Sequence, residues 1–116
     1  MIKITIIKDG DNVTAISCEG HSGYKESGSD IVCASVSVLT QNAQKTFEEI
    51  LNINTDFKCV EDVPSLSIAL PKLEGEKAKM AYLIMNSTAN GLKDIASSFP
   101  KYINIKENNG NEFLGL

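Results

Sequence analysis

The amino-acid sequence predicts a two-layer α+β domain, with two long helices laid on one face of a mostly antiparallel sheet. Three observations lead there. Short segments alternate apolar and polar residues, as half-buried strands do. Two longer segments repeat apolar residues at three- and four-residue steps, as amphipathic helices do. The segments follow in the order β-β-α-β-β-α-β, without repeat, low-complexity run or linker, so residues 1–116 read as a single domain with one modest core.

Each element has its own signal. In the first strand Ile2, Ile4 and Ile6 share one face, with Lys3 and Thr5 on the other. Asp9-Gly10-Asp11-Asn12 is a hairpin signal, because Gly10 can take positive φ without steric cost. Residues 13–19, VTAISCE, form the second strand, with Ile16 and Cys18 on one face. Residues 20–29 carry three glycines and three serines and read as a loop, of which the part from Ser22 to Ser29 is expected to be mobile without ligand and ordered with a peptide bound. Ser29 or Asp30 is a suitable N-cap, so a helix begins near residue 30. Its apolar face is Val32, Val36, Leu39, Ala43, Phe47 and Ile50, and it ends near Asn52. Residues 57–63, FKCVEDV, are the third strand; Pro64 interrupts, and residues 65–70, SLSIAL, are the fourth. Pro71 and Gly75 mark a turn. A second helix runs from about Glu76 to Phe99 with Ile84, Thr88, Leu92, Ile95 and Phe99 on one face. Gly91 costs that helix about 1 kcal/mol relative to alanine, which implies close packing at that point. Pro100 closes it. Residues 102–107, YINIKE, are the last strand, and the tail NNGNEFLGL is expected to fray.

Composition narrows the function. The chain is 42% hydrophobic and 22% charged, an ordinary globular balance. No apolar run approaches the roughly 18 residues that span a bilayer, so no membrane partner is expected. MIKITIIKDG lacks the longer apolar segment and cleavage site of a secretory signal. Three cysteines without even spacing argue against a disulfide framework and point to a reducing cytoplasm. The net charge is −4, and the eleven basic residues form no stripe, so direct nucleic-acid contact is not expected. That charge suits solubility or a basic partner. There is no GxGxxG, phosphate loop or HExxH, and no cofactor is expected.

The chemistry concentrates in GHSGYKESGSDIVCASVS, residues 20–37. Gly20 and Gly23 flank His21, the only histidine, and let the backbone turn so that the imidazole meets a cleft. Cys33 falls in the first turn of the helix, where unpaired amides and a nearby imidazolium favour a thiolate. The same amides offer hydrogen bonds to a tetrahedral oxyanion. Asp30 has two readings: a third member that orients His21, or a helix cap. The bland alternative is a solvated histidine and a buried core cysteine. Cys18, His21 and Cys33 are one ligand short of a structural zinc site, and Cys18 faces the core with Ile16, so no metal is expected. Cys18 and Cys59 read as packing residues.

EGHSGY followed by GSDIVCASVSVL resembles the signature of the bacterial ribosomal-processing cysteine proteases, the Prp family. That pattern is Gly-His-small-Gly-Tyr, a variable glycine-rich loop, then Asp-Ile-Val-Cys-Ala and a small-residue helix. The match covers residues 19–39, and chain length and element order fit throughout. Ser22 stands where the family takes alanine or serine. The resemblance implies a catalytic dyad of His21 and Cys33, with Asp30 a candidate third member. It implies homodimers, and as substrate a large-subunit ribosomal protein precursor, cut after a paired-phenylalanine sequence to leave a basic mature chain. Substrate contacts are expected from the loop, at Ser22, Gly23, Tyr24, Gly28 and Ser29. Two other functions compete with the protease. One is a non-enzymatic module that binds a ribosomal protein or assembly intermediate, with Cys33 structural. The other is a thiol redox sensor, which needs a resolving cysteine or peroxide pocket, and no CxxC is present.

Overall fold

The computed structural model describes residues 1–25, 30–60 and 65–110. Its elements are β1 (Ile2–Asp9), β2 (Asn12–Glu19), α1 (Ile31–Lys45), β3 (Asp56–Val60), β4 (Ser65–Ala69), α2 (Gly75–Ser98) and β5 (Ile103–Asn109), with a π-helical segment at Thr46–Leu51 directly after α1. The strands form one sheet in the order β3-β4-β2-β1-β5. Only the β1–β5 pair is parallel. Both helices pack on the face that carries Ile4, Ile6, Ile16, Cys18 and Ile68, which gives the expected two-layer α+β domain.

The first hairpin closes at Asp9 and Asn12, with Gly10 at φ 64°. Further along β1, the register slips between Ile7 and Lys8, a bulge on the edge of the turn. β5 runs to Asn109, further than expected, because Asn108 and Asn109 pair with Ile7 and Lys8. Those two residues of the tail therefore do not fray. Residues 111–116 lie outside the described residues, as do 61–64 at the end of the expected third strand.

The apolar face of the first helix is correct as far as Phe47, which is fully buried beside Val32, Val36 and Ala43. Ile50 departs from it and is 71% exposed. The π-helical turn takes up one extra residue, so the 3.6-residue period loses phase after Phe47. Ile53 then takes the core position, and its N–H donates to the Phe47 carbonyl at 2.9 Å. Asn52 ends the segment in the left-handed region at φ 53°. Thr40, inside the same stripe, is fully buried and satisfies its hydroxyl by donating to the Val36 carbonyl at 2.9 Å.

The buried stripe of α2 is Ala78, Ala81, Met85, Thr88, Ala89, Leu92 and Ala96. Thr88 and Leu92 were on the expected face, whereas Ile84, Ile95 and Phe99 are half-buried on its flank. The helix is rotated toward its alanines because small residues let it approach its neighbours closely. Gly91 marks the tightest point: a Cβ there would meet Leu39 Cδ1 of α1 at 2.9 Å.

Gly20, where β2 leaves the sheet, is more constrained. It holds φ 91°, and a Cβ would stand 2.7 Å from the Met1 carbonyl oxygen, a backbone atom that cannot rotate away. Gly10 shares the positive φ but has nothing within 4 Å. Gly10→Ala should therefore lose about 1–2 kcal/mol for the left-handed backbone alone. Gly20→Ala should lose more, because the strand end must also shift. Urea unfolding of the two variants measures the difference, and equal losses would show that the Met1 contact relaxes freely.

Candidate active site

Two chain segments meet at the N-terminus of α1. One leaves β2 through Gly20 (φ 91°) and Gly23 (φ 73°), with His21 and Ser22 between them. The other begins at Asp30, the N-cap. Its extended backbone (φ −83°, ψ 98°) lets Oδ1 accept from the Val32 and Cys33 amides, each at 3.0 Å. Asp30, not Ser29, caps the helix; Gly28 and Ser29 lie outside the described residues.

Ser22 joins the two segments. Its N–H donates to Cys33 Sγ at 3.4 Å, its hydroxyl donates to Asp30 Oδ2, and its Oγ accepts from the Tyr24 amide at 3.0 Å. The Tyr24 ring then packs edge-on against Phe99 and Tyr102, at centroid distances of 5.6 and 5.1 Å. So the His21 loop is fastened to α1 on one side and to the α2–β5 junction on the other. Burial works against the Asp30 charge. Hydrogen bonds from Ser22, from the amide and side chain of Cys33 and from the Val32 amide outweigh it and hold the carboxyl below its ordinary range.

Cys33, the third residue of α1, opens onto a cleft of about 630 Å³. The floor is a row that crosses β2, β4 and β3 in register, Cys18 beside Leu66 beside Cys59. One wall is α1, where Ser37 and Gln41 follow Cys33 at four-residue steps. His21, Gly23 and Lys25 lie along the rim. The fold therefore brings His21, Asp30 and Cys33 to one cleft. The imidazole is exposed and, among the described residues, has no hydrogen-bond partner; catalytic bonds are often open before substrate arrives.

Several expectations change. Of the helix-end amides expected to be free for an oxyanion, those of Val32 and Cys33 are both spent on Asp30. The amide that points at the sulfur belongs to Ser22. Of the loop residues expected to meet substrate, Gly23 lines the cleft, Ser22 is buried at 3% exposure with its groups spent inside the protein, and Tyr24 uses its ring for packing. That part of the loop is anchored rather than loose. Cys59 is not a packing residue. It is exposed on the edge strand β3 and faces the cleft. Cys18 does pack in the core, where burial pushes its thiol up to about 12. The sequence reading missed Ser37, Gln41 and Lys25 as cleft residues. The four-residue spacing after Cys33 was a usable signal for the first two; nothing local marked Lys25.

The family model described as Cysteine protease Prp matches residues 1–104. Among solved structures, the ribosomal processing protease Prp from S. aureus, with a covalently linked product peptide, superposes with a TM-score of 0.82 at 22% identity, covering 93% of this chain and 100% of that one. The same protease with a substrate peptide gives 0.76 at 21% identity, over 93% and 100%. A protein from Streptococcus mutans gives 0.80 at 24% identity, over 94% and 95%. No curated protein matches the chain.

The lowered Asp30 carboxyl has a consequence for stability. A carboxylate whose folded-state value is depressed stabilises the fold above its unfolded value, about 3.9, and loses that contribution as pH falls through the folded value. Asp30→Ala should cost about 1 kcal/mol at pH 7, as lost caps do. The gap from wild type should close on acidification below about pH 4. Urea unfolding of both proteins across that range tests this; a gap that stays constant would mean the cap works without its charge.

Proposed function

The chain belongs to the cysteine protease Prp family, and from this premise we propose that Cys33 is the nucleophile and His21 the general acid and base of its peptide-bond hydrolysis. The observation that carries the assignment is the position of Cys33. Its sulfur sits in the first helical turn, takes an N–H from Ser22, and shares its cleft with the only imidazole in the chain. The Cys33 thiolate attacks the scissile carbonyl carbon. His21 gives a proton to the leaving amine, then takes one from the water that hydrolyses the thioester. Asp30 serves this chemistry as the cap that sets the helix start, and we assign it no proton transfer.

The proposed substrate is a large-subunit ribosomal protein precursor, cut after a paired-phenylalanine sequence. Three features support it. The cleft floor offers Leu66 and Cys18, with Val36 beside them, as apolar surface for bulky side chains. The acidic chain, with net charge −4, suits a basic mature product. The S. aureus relative of the same fold has been captured with substrate and product peptides. Action in the cytoplasm as a homodimer completes the proposal.

Cys33→Ala and Cys33→Ser should each lower cleavage of a precursor peptide by on the order of a thousandfold or more, with the peptide still bound, because alanine has no nucleophile and serine is a poor one without strong activation. Cys18→Ala and Cys59→Ala should keep turnover. Retained cleavage in purified Cys33→Ala would end this assignment. Binding without cleavage in the wild type would favour a non-enzymatic module.

A further inference from the structure

We propose that Ser22 is a positioning residue for catalysis, clamping the loop that carries His21 onto the N-terminus of α1. The proposal rests on the dyad assignment above and gives it a mechanical basis. His21 and Gly23 are exposed, yet Ser22 between them is buried at 3%. Its hydroxyl both donates, to Asp30 Oδ2, and accepts, from the Tyr24 amide. A buried hydroxyl with donor and acceptor both used is fixed in place, and so is the backbone on either side of it.

The backbone of Ser22 supplies the second half of the argument. Its N–H points at Cys33 Sγ at 3.4 Å. A donor aimed at sulfur favours the anionic form of the thiol. The side chain thus holds in place an amide that acts on the nucleophile, while the preceding residue is His21. Asp30 divides its two oxygens accordingly: Oδ1 for the helix amides and Oδ2 for the loop.

Among the described residues, the other charged or titratable groups that face the cleft around Cys33 are His21 and Lys25 on the loop, Cys18 on β2, Cys59 on β3, and Asp30 at the helix's own cap. Of these, Asp30 is the one that loses a partner in Ser22→Ala. Loosening the loop also loosens the Ser22 N–H that points at the Cys33 sulfur.

The test compares wild type, Ser22→Ala and Ser22→Thr. Alanine removes one oxygen and adds no bulk, and circular dichroism checks the fold. Peptide cleavage gives kcat and KM. Alkylation of Cys33 by iodoacetamide against pH, resolved by peptide mass spectrometry because exposed Cys59 also reacts, gives a readout that needs no substrate. In Ser22→Ala we expect kcat to fall about tenfold, as for one lost charge-assisted hydrogen bond, with KM changed less than about twofold. The pH at which Cys33 becomes reactive should rise. Ser22→Thr keeps the hydroxyl and should recover both. A Ser22→Ala enzyme with wild-type kcat and an unshifted alkylation profile would overturn the clamp, as would equal losses in the alanine and threonine variants. If Cys33→Ala instead retained cleavage, the dyad assignment itself would fail, whatever Ser22 does.

Discussion

One carboxylate holds the site together. Asp30 faces two ways: Oδ1 takes the first free amides of α1, and Oδ2 takes the Ser22 hydroxyl. A cap normally stabilises only its own helix. Here the same group also fixes where the preceding loop crosses the helix end. The direction of the Cys33 side chain follows from the first function, and the place of His21 along the rim follows from the second. The cost is that the Val32 and Cys33 amides are occupied, so neither is a free donor for an incoming substrate.

The three cysteines show how environment separates identical side chains. Cys18 and Cys59 lie in one cross-strand row, two strands apart, and point to the same face of the sheet. Cys18 is buried at the base of the cleft and packs with the core. Cys59, on the edge strand β3, is open to the cleft. Cys33 is intermediate in burial and, among the described residues, is the one cysteine whose sulfur meets a backbone donor. The exposure of each thiol is therefore set by its place in the whole fold, not by its neighbours in sequence.

This distinction explains what the sequence made legible. Alternation in β1, the Asp-Gly turn and the Asp30 cap are local signals, and each appears in the structure where the local physics puts it. The grouping of His21, Asp30 and Cys33 was readable from one continuous stretch. The phase slip at Thr46–Leu51 was not, because no proline or glycine announces a π turn there. The alanine stripe of α2 was misjudged by weighting large residues, although closeness of approach favours small ones. Cys59 required knowing that β3 is an edge strand, which depends on strand order. Ser22 read as a loop residue that meets substrate, because the partner that takes its hydroxyl is eight positions away and a short polar run gives no sign of burial.

The aromatic contact of Tyr24 with Phe99 and Tyr102 adds a dimension of time. Nearly everything that lines the cleft belongs to the first two thirds of the chain, yet the loop bearing His21 is seated against residues close to its far end. β5, which begins directly after that seat, pairs Ile103 with Ile2, a contact that closes almost the whole chain into one loop. During synthesis His21 and Cys33 emerge well before Phe99 and Tyr102, which seat the loop beside them. The seat of the His21 loop thus depends on a contact between residues more than seventy positions apart, so the loop cannot be placed by its own neighbourhood in sequence.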